Sequence, residues 1–161
     1  MAENGARKIE IVLPAVPLSV SIARHAVGDL LHDADAVPAL VVEDVLLLVS
    51  ELVTNAVLHA GTDTRVSATV RDGRVVVAVS DDDPHNAPFL ADRGSRASNG
   101  RGVLLVDALA SDWGIDLMDE SKVVWFEASY DVDGATRQDS PQTRARAAPF
   151  RPRIQRRARA G

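Results

Sequence analysis

Three polar residues recur at helical spacing inside an otherwise apolar stretch. Glu51, Asn55 and His59 stand four positions apart in a segment, Leu46 to Ala60, that contains no glycine or proline. Side chains four apart lie on one face of an α-helix, so the segment predicts a buried helix with a narrow polar stripe. A buried carboxylate destabilises a protein unless it is paired. We therefore expect a polar or charged group to lie against this stripe.

The residue types of the stripe allow two interpretations. In the first, the side-chain oxygen of Asn55 is a hard ligand suited to Mg²⁺, and Glu51 orients or deprotonates a hydroxyl group. In the second, Glu51 is a half-exposed helix residue and Asn55 bonds a neighbouring backbone group. His59 is not assigned to the site, because a histidine at a helix end can bond the last carbonyl groups.

Two other features could bind part of a nucleotide. Asp81 follows a predicted strand and opens the run Asp81-Asp82-Asp83, whose mutual repulsion requires solvent, a cation or hydrogen-bond donors nearby. Gly100-Arg101-Gly102 precedes a helical pattern, and glycines at a helix start let backbone amides approach an anion. Each feature is a weak signal by itself, so their convergence has to come from the fold.

The periodicity of the chain predicts the elements that position these residues. A strand over 7–13 precedes a helix over 18–31, and Asp35 and Pro38 mark the start of the helix that ends at Gly61. Asp72-Gly73 between alternating runs predicts a hairpin. The later elements are a loop over 84–99, a helix over 103–110 and strands over 113–117 and 123–128. This order predicts an α+β two-layer sandwich, with helices on one face of a mixed, mostly antiparallel sheet.

Length and composition restrict the classes of protein. A chain of 161 residues can bury a sizeable core as one domain, and the absence of cysteine excludes disulfides and cysteine metal sites. Residues 1–7 contain no apolar run behind a basic cap, and no uncharged segment reaches the length of about 18 residues needed to span a bilayer. We therefore expect a soluble, cytoplasmic protein without a membrane segment.

The net charge of −5 conceals an asymmetry between the two ends of the chain. Residues 137–161 contain eight arginines and one acid, Asp139, which gives +7 and leaves −12 for residues 1–136. The basic segment has few large apolar residues, so we expect residues 1–136 to form the domain and 137–161 a disordered, Arg-rich tail. Such a tail could contact nucleic acid or simply be a solvated extension.

The polar motifs, in their order along the chain, resemble a known family. Over roughly residues 8–130 they look like the histidine-kinase-like ATPase domain, whose superfamily includes gyrase B and the sensor histidine kinases. The most similar branch is that of the small, free-standing anti-sigma factor serine kinases of bacteria. The segments that carry the resemblance are Glu51-Leu52-Val53-Thr54-Asn55-Ala56-Val57-Leu58-His59-Ala60, Val79-Ser80-Asp81, Gly100-Arg101-Gly102-Val103-Leu104-Leu105-Val106-Asp107 and Lys122-Val123-Val124-Trp125-Phe126.

The resemblance implies a Bergerat-type ATP-binding fold with ATP and Mg²⁺ as cofactors. It implies that Asn55 coordinates Mg²⁺, that Glu51 acts as general base or positions the nucleophile, and that Asp81 accepts the adenine amino group. Residues 84–99 would form a lid over ATP. The phosphate oxygens would be received at Gly100, Arg101 and Gly102. In that branch the kinase phosphorylates a serine of an anti-anti-sigma partner, sequesters a sigma factor and commonly forms a homodimer.

Two departures from the family pattern keep a second hypothesis open. The wider superfamily has Asp-x-Gly-x-Gly where this chain reads Asp81-Asp82-Asp83-Pro84-His85, and Gly94 is the one glycine of the lid before Gly100. Missing glycines restrict the close approach of backbone to a ligand. They favour a non-catalytic module that binds a sigma factor or other regulator with weak or no nucleotide binding. The presence of both Glu51 and Asn55 favours the kinase.

Overall fold

Three helices pack on one face of a five-stranded sheet. The computed structural model describes residues 6–34, 36–85 and 101–132, with the backbone alone for residues 101–104. The predicted α+β architecture is confirmed. In chain order the elements are β1 (Arg7–Leu13), α1 (Leu18–Asp33), α2 (Ala39–Asn55), a π-helical turn (Ala56–Ala60), β2 (Thr64–Arg71), β3 (Arg74–Asp81), α3 (Arg101–Leu109), β4 (Asp112–Leu117) and β5 (Lys122–Ser129).

The sheet has the strand order β1-β2-β3-β5-β4, and each pairing among the described strands is antiparallel. The predicted hairpin joins β2 to β3. Its two turn residues, Asp72 and Gly73, have φ values of 49° and 72°. Positive φ at both central residues gives the turn the twist of the flanking strands, which explains the Asp-Gly sequence. A side chain at Gly73 would also meet the carbonyl oxygen of Tyr130 at 2.6 Å.

Strand alternation decides which β3 side chains face the helices. Val75, Val77 and Val79 are buried in the main core, and β5 contributes Val124, Phe126 and Ala128 to the same layer. Side chains two apart share a face of a strand, so Asp81 points toward the helices as the last member of the β3 series. The α2 residues that pack against this layer are Val45, Leu48, Val49, Leu52 and Val53.

The organising helix changes character at Asn55. The α-helix ends there and continues as a π-helical turn to Ala60, followed by Gly61 in the left-handed conformation with φ of 62°. The predicted glycine cap is therefore confirmed. A π-helical turn has i→i+5 backbone bonding in place of the i→i+4 bonding of the α-helix, so the backbone of the organising helix changes at Asn55, next to the polar stripe. Such turns are frequent at functional sites.

Several sequence predictions concern residues outside the described ranges. They are the cap at Asp35, most of the loop over 84–99 and the tail 137–161. Pro38, predicted in the first turn of α2, is the residue that immediately precedes the helix. Among the helices that the structure describes, none combines the length and apolarity needed to cross a membrane.

One buried hydroxyl in the core has no partner among the described residues. Thr64 is fully buried at the start of β2, and its Oγ1 makes no hydrogen bond to any described group. An unsatisfied buried hydroxyl costs free energy that a methyl group of similar volume does not. We expect Thr64→Val to raise the free energy of unfolding by about 1 kcal/mol, measured by urea denaturation.

Thr69→Val is the matched control for this change. Thr69 lies on the same strand but is half-exposed on the opposite face, where solvent reaches it. The control should change the free energy of unfolding by less than about 0.5 kcal/mol. A Thr64→Val variant that is less stable than the wild type would show that the hydroxyl does contribute to the fold.

Candidate functional site

A shallow pocket forms where α2 meets the ends of β3 and β5. Its empty space, counted with the open solvent at its mouth, is about 250 Å³. The residues that line the pocket are Leu52, Asn55, Ala56, Val79, Asp81, Lys122 and Val124. The structure thus brings Asn55 and Asp81 together, as the sequence predicted.

Asp81 is a buried carboxylate in the lining of this pocket. It is 3% exposed, and its Oδ1 accepts a hydrogen bond of 3.0 Å from the backbone amide of Asp83. Its Oδ2 lies 3.3 Å from the Nζ of Lys122. Burial raises the pKa of Asp81 above its usual value, whereas the Asp83 amide and the Lys122 ammonium oppose that rise. Of the three adjacent acids, Asp81 is therefore the one withdrawn from solvent.

Lys122 is a pocket residue that sequence reasoning did not assign to the site. It is the direct partner of Asp81 across the β3–β5 pair, is 4% exposed, and donates to the backbone oxygen of Asp83 at 3.3 Å. The predicted strand over 123–128 began one residue after it. A signal was present: alternation from Phe126 through Val124 puts Lys122 on the apolar face of β5. A lysine there requires a buried acid, and Asp81 has the equivalent position on β3.

Of the two polar stripe residues on α2, Asn55 lines the pocket and Glu51 does not. Asn55 lines the pocket and is half-buried, and none of the hydrogen bonds between described residues involves its amide. The interpretation in which Asn55 bonds a neighbouring backbone group thus finds no support in the described part of the chain. Glu51, one turn earlier, is half-buried and lies outside the pocket lining. It stands one turn of α2 before Asn55 on nearly the same helix face.

The predicted glycine-bearing helix start is only partly visible. Helix α3 begins at Arg101, ahead of the predicted start at residue 103, so Gly102 lies in its first turn. Gly100 is outside the described residues, as are residues 86–99 of the predicted lid. Helix α3 contacts α2 and β4. The role of Gly100, Arg101 and Gly102 at phosphate stays a prediction.

The donor set favours a metal held through a ligand over one held by a protein cluster. Among the described residues, no group of three or more histidine, cysteine or acidic side chains is arranged so that it could hold a metal ion. Mg²⁺ commonly keeps several waters and binds through one or two protein oxygens together with substrate phosphates. The side-chain oxygen of Asn55, directed to the pocket, fits that mode.

The comparisons with known proteins agree with this architecture. A family model of the histidine kinase-like ATPase domain matches residues 13–127. Among solved structures, the chain is similar to the RsbU and RsbW domains of Rv1364c from Mycobacterium tuberculosis, with a TM-score of 0.58 and 21% identity. The match covers 76% of this chain and 32% of that one, and at this identity it concerns the fold alone. No curated protein matches the chain.

Replacing Lys122 by methionine should leave Asp81 buried without its cation. Removing one partner of a buried ion pair costs about 3–5 kcal/mol, so we expect a loss of that order in the free energy of unfolding near neutral pH. The double variant Lys122→Met/Asp81→Asn should recover most of the loss, because it leaves no buried charge. Urea denaturation of the wild type, both single variants and the double variant measures the coupling.

The loss of unfolding free energy caused by Lys122→Met should become smaller as the pH falls. Without the lysine, the pKa of folded Asp81 rises further above its unfolded value. A carboxyl with a raised folded pKa contributes stability that is present below its unfolded pKa and lost as pH rises through the folded pKa. The variant should therefore gain stability relative to the double variant between about pH 7 and about pH 4.5. A constant difference over that range would contradict this account.

Proposed function

Because the chain belongs to the histidine kinase-like ATPase family, we propose that it binds Mg²⁺·ATP and phosphorylates a serine of an anti-anti-sigma protein. In this proposal the same chain also sequesters a sigma factor. The observation that carries the proposal is the meeting of Asn55 and the buried Asp81 in one pocket between α2 and the sheet. An apolar pocket with a few convergent polar groups is the usual form of a nucleotide site.

Asp81 and Asn55 have distinct roles in binding. Asp81 accepts the adenine amino group, because a carboxylate is an acceptor only, and the apolar side chains of Val79 and Val124 in the same pocket favour a flat apolar ring. Asn55 offers its side-chain oxygen to Mg²⁺ from the end of α2. The metal, when bound, neutralises phosphate charge. The start of α3 at Arg101 supports phosphate binding through backbone amides at a helix N-terminus.

Glu51 is the residue we assign to proton transfer. The serine hydroxyl oxygen of the partner protein forms a bond to the γ-phosphorus of ATP, the bond to the ADP oxygen breaks, and the hydroxyl proton passes to the Glu51 carboxylate. Glu51 precedes Asn55 by one helical turn and is half-buried rather than enclosed, so a partner's side chain can reach it. Positioning and charge neutralisation supply most of the catalysis in such transfers.

The choice of partner rests on the sequence motifs. They resemble the free-standing anti-sigma factor kinases, which act in the cytoplasm on a sigma factor and an anti-anti-sigma factor and commonly form homodimers.

A second candidate function is a protein-binding module without nucleotide. One observation favours it: both carboxylate oxygens of Asp81 already contact groups of the protein, the Asp83 amide and Lys122. A measurement of ATP binding distinguishes the kinase from the nucleotide-free module.

Calorimetric titration of ATP with and without Mg²⁺ tests the nucleotide site. We expect binding that strengthens with Mg²⁺, and an Asn55→Ala variant whose Mg²⁺-dependent affinity falls by at least about ten-fold, because a metal ligand is lost. Asn55→Asp keeps an oxygen ligand and should retain the Mg²⁺ dependence. A folded wild type that gives no heat at millimolar ATP would favour the nucleotide-free module instead.

Glu51→Ala tests the proposed base. Once a serine substrate is available, we expect phosphoryl transfer to fall by about 10²–10⁴-fold, because general-base catalysis contributes that much, while ATP affinity stays within about two-fold. The matched control is Glu43→Ala, which removes an exposed acid from the same helix. Transfer at the wild-type rate by Glu51→Ala would remove Glu51 from the mechanism.

A further inference from the structure

Asp81 and Lys122 place a hydrogen-bond acceptor and a donor side by side in the pocket. Their side chains are 3% and 5% exposed, and Oδ2 lies 3.3 Å from Nζ. Both groups are tied to the backbone of Asp83, whose amide donates to Asp81 and whose carbonyl accepts from Lys122. The pair is thus oriented by β3 and β5 before any ligand arrives. An oriented acceptor–donor pair suits a planar ligand with the complementary edge.

We propose that Lys122 donates a hydrogen bond to N1 of the adenine ring while Asp81 accepts one from the N6 amino group. This inference rests on the proposed function, which places the amino group at Asp81. N1 is the ring atom next to the amino-bearing carbon and is an acceptor in adenine. Lys122 and Asp81 therefore read two adjacent atoms of the base edge, and each polar atom meets its complement.

The hydrogen-bonding capacity of both side chains allows this second set of contacts. A lysine ammonium has three donors on a rotatable group, so Lys122 can exchange one of its other contacts for one to the base and keep its contact with Asp81. A carboxylate offers about four lone-pair sites on two oxygens. Asp81 can thus hold the Asp83 amide and the ammonium and still accept from the base. No net charge is added to the pocket, because adenine is neutral.

The pair also makes the pocket selective among purines. Guanine presents O6 where adenine has its amino group, and N1–H where adenine has an acceptor. If guanine bound in the same position, O6 would face the Asp81 carboxylate and N1–H would face the Lys122 ammonium. Two acceptors would then face each other, and so would two donors. A site built to pair with polar groups rejects a ligand that leaves them unpaired. Lys122 is therefore a specificity-determining residue for adenine over guanine.

The test compares ATP with 1-deaza-ATP, which keeps the amino group but has C–H in place of N1. Wild-type protein should bind 1-deaza-ATP about ten- to a hundred-fold more weakly than ATP, the usual effect of losing a hydrogen bond to a charged group. GTP should bind more weakly still. Equal binding of ATP and 1-deaza-ATP, or tighter binding of GTP, overturns this inference alone. Absence of ATP binding overturns the proposed function and this inference with it.

Two variants show whether Lys122 is the source of the discrimination. Lys122→Met should bind ATP and 1-deaza-ATP within about two-fold of each other, because no donor is left for N1. Lys8→Met is the matched control: it removes the other lysine of the sequence, which is exposed on β1. It should keep the wild-type ratio. A Lys122→Met variant that keeps the wild-type ratio overturns the assignment.

A measurement on the wild type covers the case in which Lys122→Met does not fold. The sequence contains two lysines, so ¹⁵N-lysine labelling gives two side-chain ammonium signals. The Lys122 signal should shift with ATP and shift much less with 1-deaza-ATP, while the Lys8 signal stays unchanged. Equal shifts of the Lys122 signal with both nucleotides would show that it makes no bond to N1.

Discussion

A single buried carboxylate sets the conditions for the rest of the pocket. Asp81 stands where strand alternation requires an inward side chain, at the end of the apolar series of β3. A charge there is tolerated because the antiparallel partner in β5 is Lys122 and because the Asp83 amide donates to it. The pairing of β3 with β5 is thus both a structural and an electrostatic requirement. A register shift of one residue would turn Lys122 to the opposite face of the sheet.

The elements that the sequence predicted are those with local signals. The β2–β3 hairpin follows from Asp72-Gly73, whose positive φ values are a property of four consecutive residues. The end of the organising helix follows from Gly61 in the same way. The π-helical turn after Asn55 could not be predicted, because apolar side chains in this segment are compatible with either helical spacing. Its position depends on how α2 packs against the sheet.

The site was predicted in part, and the missing part has a physical reason. Asn55 and Asp81 carry polar groups that an apolar helix or strand cannot explain, so they were identified from the chain alone. Lys122 was left outside the predicted strand over 123–128 and without a partner residue, because Asp81 is 41 positions away in the sequence and the strand order β3-β5-β4 decides the contact. A cross-strand pair becomes visible only when the register is known. Gly100 and residues 86–99 of the predicted lid lie outside the described residues, and their role stays a prediction.

The order of the strands also has a consequence for association between chains. The sheet is open, so β1 and β4 each leave one row of backbone groups unpaired by another described strand, and such edges can recruit strands from other molecules. Strand β1 carries Lys8 and Glu10, which form an ion pair of 3.5 Å, and the short β4 carries Asp112 and Asp116. An added strand would have to pack against these charges. The acids and the lysine thereby oppose fibre-like aggregation at both edges, while β3, at the centre of the sheet, is left to carry the pocket.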